Sequence, residues 1–302
     1  KDLGGHLREG FGIRYLEKVE LHHLESWAES LQDRLTEGTI SSSTTSSYIS
    51  AVNTMFGTHD RSDLNVSAKE FGIARGTKFS NQNLANTPES QDAFKSFCQA
   101  RFEATGDIRY QALAHSVTIQ AEAGLRFRES TQIKIGGKDL AGSTLHLIKG
   151  DGVKNGQPRS FEPHCMDGLR AAQKFVGDHR SAFGRGSLIP SESTYRTFKS
   201  WAYDQVEAFR KENFAHASYH LHGNRHEFAH REYGKAWENR TGVRVQVPVV
   251  LDKHGDQYLR YVADRTGLSE KEVEQLSRDI NLYVAEKLGH HRVESGFSYN
   301  GK

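Results

Sequence analysis

Three things are scarce in this sequence, and each scarcity excludes a class of protein. Cysteine occurs only as Cys98 and Cys165. A pair so far apart forms neither a disulfide framework nor a short metal-type spacing, and it fits a reducing compartment. Long apolar runs are missing. No stretch of about 18 apolar residues occurs, so no transmembrane helix is expected. Nor does the N-terminal stretch have the charged-then-apolar build of a secretory signal. An excess of charge is missing too, since 40 basic and 38 acidic residues leave a formal net charge of +2. That balance neither demands nor excludes nucleic acid, because a DNA-binding face needs local clusters of Arg and Lys. There is no internal repeat and no long low-complexity tract. The chain begins at Lys1 rather than Met, as a fragment or a processed protein would.

What is present is an ordinary globular composition, 36% hydrophobic and 26% charged over 302 residues. At roughly 100–200 residues per domain, two domains are expected. Leu16, Val19, Leu24, Trp27, Leu31 and Leu35 recur at three- to five-residue steps and predict a helix ending near Gly38. The polar run Ser41 to Thr45 supplies N-cap candidates for a second helix carrying Tyr48, Ile49, Val52, Met55 and Phe56. From about residue 60 to Pro88 the pattern weakens to a loop and linker. Helical spacing resumes at Phe94, Phe97 and Phe102 and again at Leu113, Val117 and Ala121.

The middle of the chain alternates with period two at Thr131–Ile135 and Thr144–Ile148, which predicts short strands. Asn155-Gly156 is a hairpin-turn dipeptide, and Arg159–Phe161 is a third candidate strand. Helical pattern returns after Pro163 and runs to about residue 288, broken near 241–250. The expected fold is mainly α with a small antiparallel β-sheet in an α+β domain, preceded by an all-helical N-terminal domain.

Four separated pieces carry chemistry: Gly124-Leu125-Arg126 with Glu129, the hairpin with Lys154 and Arg159, His222-x-x-Arg225, and Leu288-Gly289-His290 followed by Tyr299. Transfer of a phosphodiester puts negative charge on non-bridging oxygens. Two guanidiniums, Arg126 and Arg225, suit those oxygens through bidentate charge-assisted bonds. Lys154 on a hairpin can protonate a leaving 5′-oxygen. A phenol is nearly un-ionised at neutral pH, with an ordinary pKa of about 10. Tyr299 as nucleophile therefore needs an imidazole and cations nearby.

Taken together, these residues resemble the tyrosine recombinase (phage integrase) family. There an Arg follows Gly-Leu and precedes a Glu by three, and a hairpin Lys precedes a basic residue by five. A His-x-x-Arg opens a helix, and Leu-Gly-His precedes the nucleophile by about nine. Arg126 to Glu129, Lys154 to Arg159, His222 to Arg225 and His290 to Tyr299 match in order and spacing. The resemblance covers residues 92–302 well and the N-terminal helices in pattern only. It implies residues 1–87 as a helical core-binding (SAM-like) domain and residues 88–302 as the catalytic domain. Catalytic roles fall on Arg126, Lys154, His222, Arg225, His290 and Tyr299, with Glu129 orienting them and Arg128, Arg159 and Arg292 contacting DNA. Within that scheme Tyr299 forms a 3′-phosphotyrosyl bond and releases a 5′-hydroxyl, Lys154 is the general acid, and Arg126 and Arg225 stabilise the pentavalent phosphate. His222 assists as base or hydrogen-bond partner, and His290 donates to a phosphate oxygen.

The implied substrate is double-stranded DNA at a specific recombination site, cut and rejoined during integration or excision of a mobile element. No metal, ATP or other cofactor is implied. The active assembly would be a homotetramer around DNA, with accessory DNA-bending proteins, in the cytoplasm at the nucleoid of a bacterium and with no membrane partner. DNA affinity would fall with salt at a log–log slope of about −0.9 per phosphate contact. Two departures from the family stand out. The 65-residue step from Arg225 to His290 is long and marks residues 238–270 as an insertion, with strands of its own around Val243–Val250. Only three residues follow Tyr299, where family members often carry a further helix that packs on a neighbouring protomer. That implies truncation or a different control of assembly.

Taken singly, these residues have plainer readings. Arg126 alone would be an ion-paired surface arginine, Lys149 and Lys134 compete with Lys154, and His291 and Arg292 are more simply solvated or phosphate-touching. The rival reading is a zinc hydrolase, because His226-Glu227-x-x-His230 fits H-E-x-x-H. Its longer form fails here. Gly234 is one place late, Ala236 stands where a third His belongs, and Glu238 is a non-specific third ligand. A catalytically silent DNA-binding regulator is the third class, and the full catalytic set argues against it.

Overall fold

The computed structural model describes residues 2–73, 82–156, 158–184, 186–290 and 292–301. The chain divides into two compact units, Lys1–Lys78 and Phe79–Lys302.

The first unit is helical: α1 (Leu3–Phe11), α2 (Leu21–Thr36) and α3 (Ser42–Gly57). The Asp2 side chain caps α1 by accepting from the Gly5 N–H at 2.6 Å, and Ser41 caps α3 by accepting from Thr44 at 3.2 Å. Leu24, Trp27, Ala28 and Leu31 of α2 pack with Ile49 and Phe56 of α3. Each fully buried side chain of this size stabilises by roughly 1.5–3 kcal/mol. The weak pattern after residue 60 is partly core, since Leu64, Val66 and Ile73 are buried with the helices. Asn53 pins that segment through its amide, donating to Val66 O at 2.9 Å and accepting from Val66 N at 3.1 Å. Leu16 belongs to a short 3-10 turn, Leu16–Lys18, ahead of α2 rather than to the long helix expected there. The segment expected to be a linker includes residues 74–81, which lie outside the described residues.

The second unit holds α4 (Pro88–Thr105), α5 (Arg109–Ala123), α6 (Phe127–Gln132), β1 (Leu145–Leu147), β2 (Arg159–Phe161), α7 (Asp167–Asp178) and α8 (Tyr195–Glu212). It continues with α9 (Gly223–Thr241), α10 (Pro248–Leu251), α11 (Asp256–Thr266), α12 (Glu270–Lys287) and α13 (Val293–Asn300). The two strands pair antiparallel, Leu145 opposite Phe161 and Leu147 opposite Arg159. One apolar cluster gathers α4, α5, α7, α8 and the strands, and a second gathers α9, α11, α12 and α13 around Phe228, Tyr233, Trp237, Ile280 and Val284. The fold is mainly α with a small antiparallel sheet. Among the described residues no helix is long and apolar enough to cross a membrane.

Three local expectations are corrected. Thr131–Ile135 is not a strand: α6 runs through Gln132, and Ile133 N bonds back to Glu129 O at 3.0 Å. Ile133 and Ile135 are both fully buried, so the alternation reflects a chain leaving a helix end along the core. Val243–Val250 forms no strand either. Val245 and Val247 bury themselves among helices, and Pro248 opens α10. Asn155-Gly156 is not a two-residue hairpin turn. Residues 148–158 link the strands, and the buried Asp151 carboxylate holds the link by accepting from Lys134 N at 3.0 Å, Ile148 N at 2.9 Å and Lys138 Nζ at 2.5 Å.

Candidate active site

The site is assembled from helix ends. Gly124 ends α5 in the left-handed region at φ +61°, and a Cβ there would run into the Phe228 ring. The chain then turns to set Arg126 at the N-cap of α6. Glu129 reaches back one turn and accepts from Arg126 N at 2.9 Å and from Arg126 Nη1 at 2.8 Å. The Arg-x-x-Glu spacing is thus a capping arrangement as well as an ion pair.

Glu129 is 1% exposed and is also bonded by Arg159 Nη2 at 2.8 Å, with Arg225 Nη1 at 3.9 Å. Burial alone would raise its pKa, but Arg159, Arg225 and Arg126 outweigh burial and hold the carboxyl below its ordinary range. Burial pulls Arg159 down to about 10, with Glu129 opposing, so it keeps its proton at neutral pH.

Arg225 lies in the first turn of α9 and is fully buried. Its three nitrogens all donate: Nε to Tyr299 Oη at 2.9 Å, Nη2 to Leu288 O at 2.6 Å, and Nη1 to Gly124 O. One guanidinium therefore ties together the ends of α5, α12 and α13. Tyr299, on α13, is 8% exposed. Its ring lies 4.8 Å from that of His226, 6.0 Å from His222 and 6.4 Å from His290.

The histidines are held neutral. His290 falls to about 4 through burial and then through Arg225, Arg126, Arg159 and Lys154. Its Nε2 lies 2.9 Å from Arg126 Nη2, a donor, so Nε2 accepts and Nδ1 carries the proton in this assignment. His222, at the N-cap of α9, falls to about 4 through packing and Arg225, and its open solvent face weakens that effect. His226 is 5% exposed and falls to about 3, chiefly through burial.

Arg126, Glu129, Lys154, Arg159, His290 and Arg292 line one cleft of about 270 Å³. Of the three competing lysines, Lys154 is the one on that cleft; Lys134 lines a different pocket with Tyr195. Arg225 and Tyr299 lie behind the cleft, joined to it through Glu129. Arg128 is elsewhere, bonded to Gln132 at 2.7 Å and packed over the Tyr195 ring. His291 lies outside the described residues.

No protein-family model matches the chain, and no curated protein matches it. Among solved structures it is similar to the Tn1549 transposon integrase in complex with transposon right end DNA, at a TM-score of 0.50 and 15% identity, over 98% of this chain and 85% of that one. The chain shares its fold with that structure.

Within this fold the side chains of the H-E-x-x-H stretch are engaged by the protein itself. The His230 Nε2–H donates to Tyr299 O at 2.9 Å. Glu227 pairs with Arg231 at 2.8 Å. Among the described residues no three His, Cys, Asp or Glu side chains converge as a metal site. Sequence reasoning missed that His226 and His230, one helical turn apart, both face Tyr299. The signal was the i, i+4 spacing itself, which puts both on one helix face.

Proposed function

We propose that this chain is a tyrosine recombinase that cuts and rejoins double-stranded DNA through a 3′-phosphotyrosyl bond at Tyr299, in integration or excision of a mobile element. The carrying observation is the Arg225 Nε to Tyr299 Oη bond of 2.9 Å, behind a cleft walled by Arg126, Lys154 and His290. The similarity in fold to a transposon integrase in complex with transposon right end DNA supports the substrate class.

In the proposed reaction Tyr299 Oη attacks the scissile phosphorus and the P–O5′ bond breaks. The phenolic proton leaves towards the neutral imidazole of His222, and Lys154 supplies a proton to the departing 5′-oxygen. Arg126 and Arg225 offset charge growing on the phosphate, and His290 uses its remaining N–H for a phosphate oxygen. Glu129 fixes the guanidiniums. One phosphoester forms as one breaks, so rejoining needs no ATP: a 5′-hydroxyl attacks the phosphotyrosine and releases Tyr299. We further propose the helical first unit as the core-binding domain, a homotetramer as the active assembly with accessory DNA-bending proteins, and a cytoplasmic, nucleoid-associated location. Residues 238–270 are proposed as an insertion that backs α13, since Pro248 and Val249 of α10 abut Gly301.

The test is incubation with nicked duplexes from the ends of the parent element in EDTA. The expected result is a denaturant-resistant protein–DNA adduct in the wild type and none in Tyr299→Phe. Tight binding without an adduct would instead favour a silent DNA-binding regulator.

A further inference from the structure

We propose that Arg159, inside the cleft, is a direct ligand of the scissile phosphate alongside Arg126. The inference deepens the recombinase reading and rests on it.

Arg225 has little left to give a phosphate. It is fully buried, each of its nitrogens already donates to a protein oxygen, and it does not line the cleft. Its donors organise the nucleophile, and it acts on the phosphate through its charge alone. Arg159 is the opposite case. Its side chain is 11% exposed and lines the cleft, yet only Nη2 has an acceptor, Glu129 at 2.8 Å. Nε and Nη1 are buried with no partner among the described residues. Leaving charged N–H groups buried and unpaired is costly, so such groups call for an explanation.

Charge points the same way. Arg126, Arg159 and Arg225 share the single carboxylate of Glu129. The cluster is therefore short of negative charge before Lys154 and Arg292 on the cleft wall are counted. A phosphodiester carries one negative charge on two non-bridging oxygens, the geometry that a forked guanidinium matches.

Placement is deliberate in the fold. Arg159 is fixed opposite Leu147 in the strand pair, and its guanidinium lies 5.1 Å from the Phe161 ring centre. It also lies directly beneath Gly289, where any Cβ would collide with Nη1. The glycine of the Leu-Gly-His motif thus makes room for this guanidinium. An arginine needed only to pair with Glu129 would not need that room, since a lysine could serve.

The test has two readings. First, inorganic phosphate is titrated into the isotope-labelled protein while the arginine Nε–Hε signals are followed by NMR. The Arg159 signal should shift saturably together with that of Arg126, and Arg159→Lys, which keeps the charge paired with Glu129, should weaken binding by about tenfold or more. An Arg159 signal that never moves while Arg126 responds would overturn the inference, whether or not the chain cleaves DNA. Second, cleavage is compared on a normal scissile phosphate and on a neutral methylphosphonate. Arg159→Gln should lose on the order of 100-fold on the phosphate, as for removal of one oxyanion donor, and far less on the methylphosphonate. Arg159→Lys guards against a glutamine variant that does not fold. Equal losses on both substrates would reduce Arg159 to a structural partner of Glu129. Absence of any adduct in the wild type would count against the recombinase reading instead, with the phosphate titration still deciding the site.

Discussion

Arg225 Nε donates to Tyr299 Oη at 2.9 Å, and the same guanidinium binds the carbonyls that end α5 and α12. The phenol therefore sits on a cation that three helix ends hold in place. Removing the hydroxyl in Tyr299→Phe strands one buried donor, with an expected cost of roughly 1–3 kcal/mol. The variant should still fold and bind DNA, as checked by urea unfolding and a gel-shift titration. Loss of DNA binding would mean that Tyr299 shapes the interface rather than the chemistry.

Among the described residues, Glu129 is the one carboxylate paired with Arg126, Arg159 and Arg225. Glu129→Gln removes the anion and leaves three guanidiniums in mutual repulsion. Breaking a buried ion pair from one side costs about 3–5 kcal/mol. Denaturant unfolding should show a loss of that order, and cleavage should fall with it. A change within about 0.5 kcal/mol, the usual size for an ordinary surface position, would contradict the arrangement described.

Gly289 has φ +72° and lies over the Arg159 guanidinium. Gly289→Ala is strained in the backbone and displaces Arg159. The expected destabilisation is more than about 1 kcal/mol. Cleavage should fall further than stability does, because His290 follows directly. Thermal unfolding beside single-turnover cleavage separates the two, and unchanged cleavage would argue against a tight Gly289–Arg159 contact.

Acid should loosen the second unit. His226, at about 3, and His230 and His290, both at about 4, lie below the ordinary histidine value of 6.5 mainly because they are buried. Between those values and 6.5 the unfolded chain binds more protons than the folded one, so stability rises with pH. Their contribution is full above pH 6.5 and is lost as pH falls through the window towards 4. Each histidine adds a slope of up to about 1.4 kcal/mol per pH unit. The lowered Glu129 acts in the same direction below its ordinary range. Unfolding free energies measured from pH 7 to 4 should therefore fall steadily, and a flat profile would mean that these rings are solvated.

The grouping of Arg126, Glu129 and His290 in one site was legible because each motif couples a local backbone device to a side chain. Gly124 caps α5 two residues before Arg126, and Glu129 caps α6 while pairing with it. Gly289 likewise turns the chain before His290. The helices were legible from apolar spacing wherever one face is buried, as in α2 and α3. Alternation misled at Ile133 and Ile135 and at Val245 and Val247, because isolated apolar residues can enter a helical core without a strand partner. Arg159 reads as a surface contact for DNA in sequence. Its place in the cleft depends on strand register and on a glycine 130 positions away, which no local pattern contains. The employment of His226 and His230 was hidden for the same reason, since α13 meets α9 only in the folded chain.

The central claim is that DNA becomes bonded to Tyr299. The adduct formed with a nicked duplex in EDTA would be digested with protease and nuclease, and the nucleotide-bearing peptide sequenced by mass spectrometry. The expected product is a nucleotide joined through its 3′-phosphate to Tyr299, in a peptide from α13. A nucleotide on any other residue, or efficient cleavage with no nucleotide on the protein, would contradict it.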